Sequence, residues 1–436
     1  MIRRPPWLAA LAAACLAATA HAQGVQVAPL AAPDLFSPGA RDTGLPGDLW
    51  RGTSPRTMAA VLPLVSAKPL SPAARALALR VLATGAAGPQ GAGEDPALAG
   101  ARIEALIALG DAPGAAAILS RTANVERSPA LAQAAAEAAL LAGDDARACQ
   151  IGESLAADRD AVYWLRLRAF CRQRAGDAGA ARLTFDLAQG QARDAVFGRL
   201  MGAKLAGAGD PGAASLRNGL DYALSRSLGL DLSQAKPAPA VAAALSGEAP
   251  VSATWTLPSG PGLADAAMAM LAGGDVAGAR LIRAGLMRDE PGVSAQDLAL
   301  LDAMLAAATG TPDGPTLDRL LERGGVGDAA GRARMQAAAL YLAALGAPLS
   351  PEGRGELAAA AAGEAKAPPA RTLAMDLAAE QKLMGETALL AIWTSADAGA
   401  SGPAPADRAR IVRALRQAGL EADARAFALE GLIALK

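Results

Sequence analysis

The chain has 436 residues, of which 52% are hydrophobic and only 3% aromatic, and its 41 basic and 42 acidic side chains nearly cancel. Such a charge balance lacks the basic excess of nucleic-acid-binding proteins, so no nucleic-acid partner is expected. The single histidine, His21, lies in an N-terminal export segment. The mature chain is therefore expected to lack imidazole chemistry, which excludes a Ser-His-Asp triad, a Cys-His pair and a His-ligated metal.

Residues 1–22 are typical of a secretory signal peptide. Two arginines precede an apolar run at residues 7–18, and residues 20–22 read Ala-His-Ala, a cleavage motif. The alternative is a lipoprotein anchored through Cys15, although the three alanines before it lack the leucine of a lipobox. No later apolar run is long enough to cross a bilayer. We therefore expect an exported, periplasmic protein without a transmembrane span.

Residues 23–70 are rich in proline and glycine, which predicts an irregular extension. Helical repeats are predicted for residues 71–228. There a Gly-Asp dipeptide recurs every 33 residues, at Gly110, Gly143, Gly176 and Gly209. The glycine can take the left-handed conformation that ends a helix, and the aspartate can cap the next helix. A period of this length is typical of solenoids built from helical hairpins.

The regular spacing stops after residue 228. Residues 229–262 contain five prolines and are predicted to form a linker or insertion. A second helical-repeat segment is predicted for residues 263–436, where Gly274 again precedes an aspartate and Gly419 lies in a similar context.

The segments Leu141–Ala148 and Arg174–Ala181 resemble the inter-helix turn, and the small residue of the second helix, of tetratricopeptide repeats. The resemblance covers residues 97–228 well and residues 263–436 loosely. The aromatic positions of the first helix and the proline that ends each repeat are mostly missing. The resemblance implies an all-α fold, an α-solenoid of stacked hairpins, which binds ligands with the inner face of the first helices of its hairpins.

Two cysteines, Cys149 and Cys171, remain after removal of the signal peptide. On the hairpin arrangement, Cys149 lies early in a second helix and Cys171 late in the first helix of the next repeat, so the two side chains should meet. An even cysteine pair in an oxidising compartment is usually a disulfide. The alternatives are a catalytic dithiol, which would favour Cys-x-x-Cys spacing, and two unpaired buried thiols.

The same resemblance implies which residues form the inner face. These are Gln133, Glu137, Tyr163, Arg166, Phe170, Gln173, Arg174 and Arg199. Arginines on such a face could hold a carboxylate through paired hydrogen bonds. The alternative is that the aromatic side chains pack the core around the disulfide and the arginines form a solvated face.

No motif in the chain predicts a catalytic site, a cofactor or a metal. The glycine-rich runs lack the Lys-Ser/Thr of a phosphate loop, and the paired acidic residues lie in predicted turns. The expected function is an exported, non-catalytic scaffold that binds a protein, a peptide or an envelope polymer. The alternative is an accessory or catalytic component of cell-wall or polysaccharide processing, in which a helical superhelix holds a glycan. A pocket with a buried, partnerless glutamate would favour that alternative.

Overall fold

The computed structural model describes residues 33–247, 255–257, 262–286, 293–360 and 363–436. Within these ranges the protein is all-helical, with twenty-one α-helices, one short 3-10 helix and no strand. Residues Asp34–Lys436 form one compact unit. No helix in the described part of the chain is long and apolar enough to cross a membrane. The all-α prediction is therefore confirmed, whereas the predicted signal peptide and Cys15 lie outside the described residues.

The helices are numbered in chain order. The first eleven are α1 Pro55–Ala67, α2 Pro72–Ala83, α3 Pro96–Ala108, α4 Ala112–Leu119, α5 Pro129–Leu141, α6 Asp145–Ser154, α7 Val162–Arg174, α8 Ala178–Gln191, α9 Ala195–Ala206, α10 Gly219–Ser227 and α11 Pro239–Ser246. The remaining ten are α12 Leu263–Ala272, α13 Val276–Gly285, α14 Ala295–Thr309, α15 Gly314–Gly324, α16 Ala329–Leu345, α17 Pro351–Ala359, α18 Pro369–Glu380, α19 Met384–Ala398, α20 Pro405–Ala418 and α21 Glu421–Ile433.

The Gly-Asp dipeptides join helices into hairpins for a local reason that Gly143 illustrates. Its φ of 81° places it in the left-handed region, and the next amide, Asp144 N–H, donates to the Ala139 carbonyl at 2.8 Å. The Asp144 carboxylate then accepts from the Arg147 N–H at 2.9 Å and so caps α6. The same arrangement joins α3 to α4 at Gly110, α7 to α8 at Gly176 and α12 to α13 at Gly274.

The turn predicted at Gly209 does not lead into a second helix. Helix α9 ends at Ala206, and the chain stays irregular until Asn218 caps α10. The side chain of Asp210 accepts from the N–H of Gly212, which has a φ of 64°, so the backbone leaves the helical conformation directly after the turn. The regular repeat therefore breaks one hairpin earlier than its period indicates.

Helices also form in the predicted irregular extension and in the predicted linker or insertion. Helix α1 lies within residues 23–70, and α11 lies within residues 229–262. Each begins with a proline in its first turn, and the Ser54 hydroxyl accepts from the Thr57 N–H at the start of α1. Proline content alone indicated irregular structure, but proline is favoured at the first position of a helix because its missing N–H needs no partner there.

The N-terminal helices join the two helical halves of the chain. Helix α1 packs on both α3 and α19, and α2 packs on α19 and α21. One hydrophobic cluster accordingly contains residues from Phe36 to Ile433. A second cluster, built from α5 to α10, surrounds Trp164, Phe170 and Phe197. The two halves thus share a core, with α1 and α2 at their junction.

The predicted disulfide is present. Cys149 on α6 and Cys171 on α7 are bonded, with Cα atoms 5.5 Å apart. The bond links the second helix of one hairpin to the first helix of the next, so it secures the stacking of two repeats.

Replacing both cysteines by serine should lower the free energy of unfolding by about 3 kcal/mol, because a loop of this length no longer restricts the unfolded chain. Urea denaturation of the mature protein measures the loss. A reductant should move the wild-type midpoint to that of the double variant and leave the variant itself unchanged. Equal wild-type midpoints with and without reductant would contradict the prediction.

Candidate binding surface

The eight residues predicted for the inner face lie on three helices, α5, α7 and α9. Gln133 and Glu137 lie one turn apart on α5, Tyr163, Arg166, Phe170, Gln173 and Arg174 lie on α7, and Arg199 lies on α9. The structure therefore brings these helices together, but the individual side chains have different surroundings.

Glu137 and Tyr163 form a half-buried polar pair. The Tyr163 hydroxyl donates to Glu137 Oε1 at 2.9 Å, and the N–H of Gly219, the first residue of α10, donates to Oε2 at 2.6 Å. Burial raises the pKa of Glu137 above its ordinary value, and these two hydrogen bonds oppose that shift. Burial also raises the pKa of Tyr163 well above its ordinary value. The carboxylate thus holds the N-terminus of α10, where a helix favours negative charge.

Arg166 and Arg199 are bonded within the chain. The Arg166 guanidinium lies 3.3 Å from Asp194, donates to the Ala192 carbonyl at 3.0 Å and stacks over the Phe197 ring at 5.5 Å. Arg199 donates to a backbone carbonyl at 2.7 Å. Both guanidinium groups therefore bind parts of the chain itself, Arg166 the start of α9 and Arg199 the loop after α9, rather than forming a solvated face.

The other predicted residues divide between the core and the surface. Phe170 is only 2% exposed and belongs to the second cluster. The side-chain amide of Gln173 donates to the Lys204 carbonyl at the end of α9. Gln133 is half-buried and Arg174 is exposed, and neither has a hydrogen-bond partner among the described residues. Those two side chains remain available to a ligand.

Helix α10 packs on α5 and α9, two of the three helices that carry the predicted residues. Its residues Leu220, Ala223 and Leu224 belong to the same buried cluster as the aromatic residues of α7 and α9. Near its other end, Arg226 pairs with Asp145 at 2.6 Å. This helix comes after the broken turn at Gly209, so the periodic pattern contained no indication that the chain folds back over its own repeats.

Glu104 was not among the residues predicted for the inner face, but its charge affects the pKa values of two of them. It lies on α3, 33 residues before Glu137, and its negative charge contributes to the raised pKa values of Glu137 and Tyr163. The 33-residue period could have identified it, because the same position of successive repeats recurs on one face of the stack.

The described residues contain no cluster of three or more His, Cys, Asp or Glu side chains that could hold a metal ion. Comparison of the chain with protein-family models, with curated proteins and with solved structures finds no match.

Proposed function

We propose that the protein is an exported, non-catalytic scaffold of the tetratricopeptide type that binds a peptide or protein partner on its inner face. The packing of α10 is the observation that carries this proposal. This helix lies on α5 and α9, held by apolar contacts and by a carboxylate that accepts from its first N–H. A helical ligand in a groove uses the same two kinds of contact.

The glutamates support the scaffold over the glycan-processing alternative. No glutamate in the described ranges has a buried carboxylate oxygen without a hydrogen bond. Glu137 is bonded to Tyr163 and Gly219, and Glu430 pairs with Arg408. A general acid for glycoside cleavage needs a carboxyl group that is free to meet the scissile oxygen.

One aspartate, Asp407, has a buried carboxylate oxygen that accepts no hydrogen bond from a described residue. Asp407 Oδ1 has no partner, but Oδ2 of the same carboxylate accepts from the N–H groups of Lys366 and Ala367. This aspartate lies in the first turn of α20 and secures the preceding loop, which is a structural role.

Site-specific photo-crosslinking tests the proposal. A photoreactive residue is placed at the half-buried Gln133 or the exposed Arg174, both of which the repeat resemblance assigns to the inner face, and at Arg182 as a control. Arg182 is exposed on α8, the second helix of its hairpin. In envelope extract we expect a discrete adduct from positions 133 and 174 that excess unlabelled mature protein abolishes. Equal adducts from all three positions, or none from 133 and 174, would contradict the proposal.

A further inference from the structure

A cavity of about 520 Å³ lies where the two helical halves meet. It is lined by α2, α12, α13, α14 and α21, together with residues 41–43 and Trp255. Half of its lining residues are aliphatic, with Leu79, Leu271 and Leu429 among them. A largely apolar cavity of this volume, with a few convergent polar groups, is typical of small-molecule sites.

Most of the charged groups around the cavity are already paired. Arg80 lies 2.5 Å from Asp423 and also donates to the Thr43 carbonyl. Burial raises the pKa of Asp423 to about 6, and the positive charge of Arg80 opposes the shift. Arg41 lies 2.5 Å from Asp111. Each of these two guanidinium groups therefore already has a carboxylate as its charge partner.

Arg425 differs from Arg80 and Arg41 because it forms no ion pair with a described residue. It lies on α21, lines the cavity and is half-buried, yet it has no hydrogen-bond or ion-pair partner in the part of the chain that the structure describes. A guanidinium group carries five N–H donors in a planar fork that matches a carboxylate. No described residue satisfies those donors, so they are open to water or to a ligand as far as the described part of the chain extends.

Trp255 supplies an aromatic wall whose position is set by hydrogen bonds. Its backbone N–H donates to the Ala272 carbonyl at 2.9 Å, and its indole N–H donates to Glu430 at 3.3 Å. The ring is partly buried and lines the cavity. Aromatic rings held in this way provide apolar contact area to a ligand at little entropic cost.

We propose that this cavity binds a small apolar molecule that bears one anionic group, such as a carboxylate. The anionic group pairs with the Arg425 guanidinium, and the apolar part packs against Trp255 and the aliphatic wall. The site lies outside the inner face, so it adds a ligand-binding activity to the proposed scaffold.

A matched pair of fluorescent probes tests the role of the charge. Anilinonaphthalene sulfonate and the neutral N-phenylnaphthylamine have similar aromatic bodies, and only the first is anionic. We expect saturable one-to-one binding of the sulfonate to the mature protein. Arg425→Gln should raise its Kd about tenfold, because a charge-assisted hydrogen bond is lost, and should change the Kd of the neutral probe less than about twofold.

Three further substitutions make the result specific. Arg413→Gln removes an exposed arginine on the neighbouring helix α20 that has no partner among the described residues, and it should change neither Kd. Arg425→Lys keeps the charge without the fork and should give an intermediate Kd. Trp255→Leu should weaken both probes, because it removes shared aromatic contact area.

A competition experiment needs no variant and so does not depend on variant folding. Decanoate should displace the sulfonate probe from the wild-type protein at about one tenth of the concentration that decanol requires, since only decanoate can pair with an arginine. Equal potency of the two competitors, or a sulfonate Kd unchanged by Arg425→Gln, would overturn the proposal. Binding of many probe molecules per chain without saturation would also overturn it.

Discussion

Arg102→Met should lower the free energy of unfolding by about 4 kcal/mol, because four buried carbonyl groups would each lose a hydrogen bond worth about 1 kcal/mol. The Arg102 side chain on α3 is almost fully buried. It donates to the carbonyl oxygens of Leu82, Phe36, Pro38 and Thr84, at 2.7 to 3.2 Å. Burial lowers the pKa of this arginine to about 10.

The position of these carbonyl groups explains why the effect should be large. Two belong to the end of α2, and two belong to the irregular segment that precedes α1, so one guanidinium group fastens that segment to the helices. The group also stacks over the Phe36 ring at 5.5 Å. A methionine fills similar volume but donates no hydrogen bond. The Leu82, Pro38 and Thr84 carbonyl groups would lose their side-chain donor, and the Phe36 carbonyl would keep only the Ala86 N–H.

Urea denaturation measured by circular dichroism tests the prediction. Arg56→Met is the matched control, because Arg56 is exposed on α1 and has no partner among the described residues. It should change stability by less than about 0.5 kcal/mol. Arg102→Lys should recover part of the loss. Hydrogen exchange should show the largest increase in residues 34–40. A stability of Arg102→Met within about 1 kcal/mol of the wild type would refute the prediction.

Arg408→Met should destabilise the protein by about 4 kcal/mol, because it leaves a buried carboxylate without its charge partner. Arg408 on α20 pairs with Glu430 Oε1 on α21, and both side chains are almost fully buried. Glu430 Oε2 also accepts from the N–H of Ala73 at 2.7 Å and from the indole N–H of Trp255. Since Ala73 lies on α2, this carboxylate ties the C-terminal helices to the N-terminal ones.

A double-mutant cycle separates the pair from its surroundings. Arg408→Met and Glu430→Gln are measured singly and together by denaturant unfolding. The double variant should lose about 2 kcal/mol less unfolding free energy than the two single variants lose together. The reason is that neither buried charge is left without its partner when both are removed. Additive losses would show that the two side chains do not depend on each other.

The predicted inner face shows which features the repeat pattern can predict and which it cannot. The resemblance to tetratricopeptide repeats assigned Gln133, Arg166 and Arg199, which are spaced 33 residues apart, to one face, and the structure places them on α5, α7 and α9. The resemblance could not predict that Arg166 pairs with Asp194 or that Glu137 holds α10. The first contact joins α7 to the residue that caps α9. The second depends on where the chain goes after Gly209, where the side chain of Asp210 accepts from the Gly212 N–H and the helical pattern stops.

The sequence by itself determined the features that depend on short stretches of chain. The Gly-Asp turns at Gly110, Gly143 and Gly176, their aspartate caps and the Cys149–Cys171 pair all follow from hydrogen bonds and geometry within one or two hairpins. Only the tertiary structure decided that α1 and α2 pack against α19 and α21. The Glu430 contacts and the cavity both depend on that packing. The physical reason is that alanine-rich helices offer many similar apolar faces. Which of these faces meet, across more than three hundred residues, is decided by the packing of the whole core.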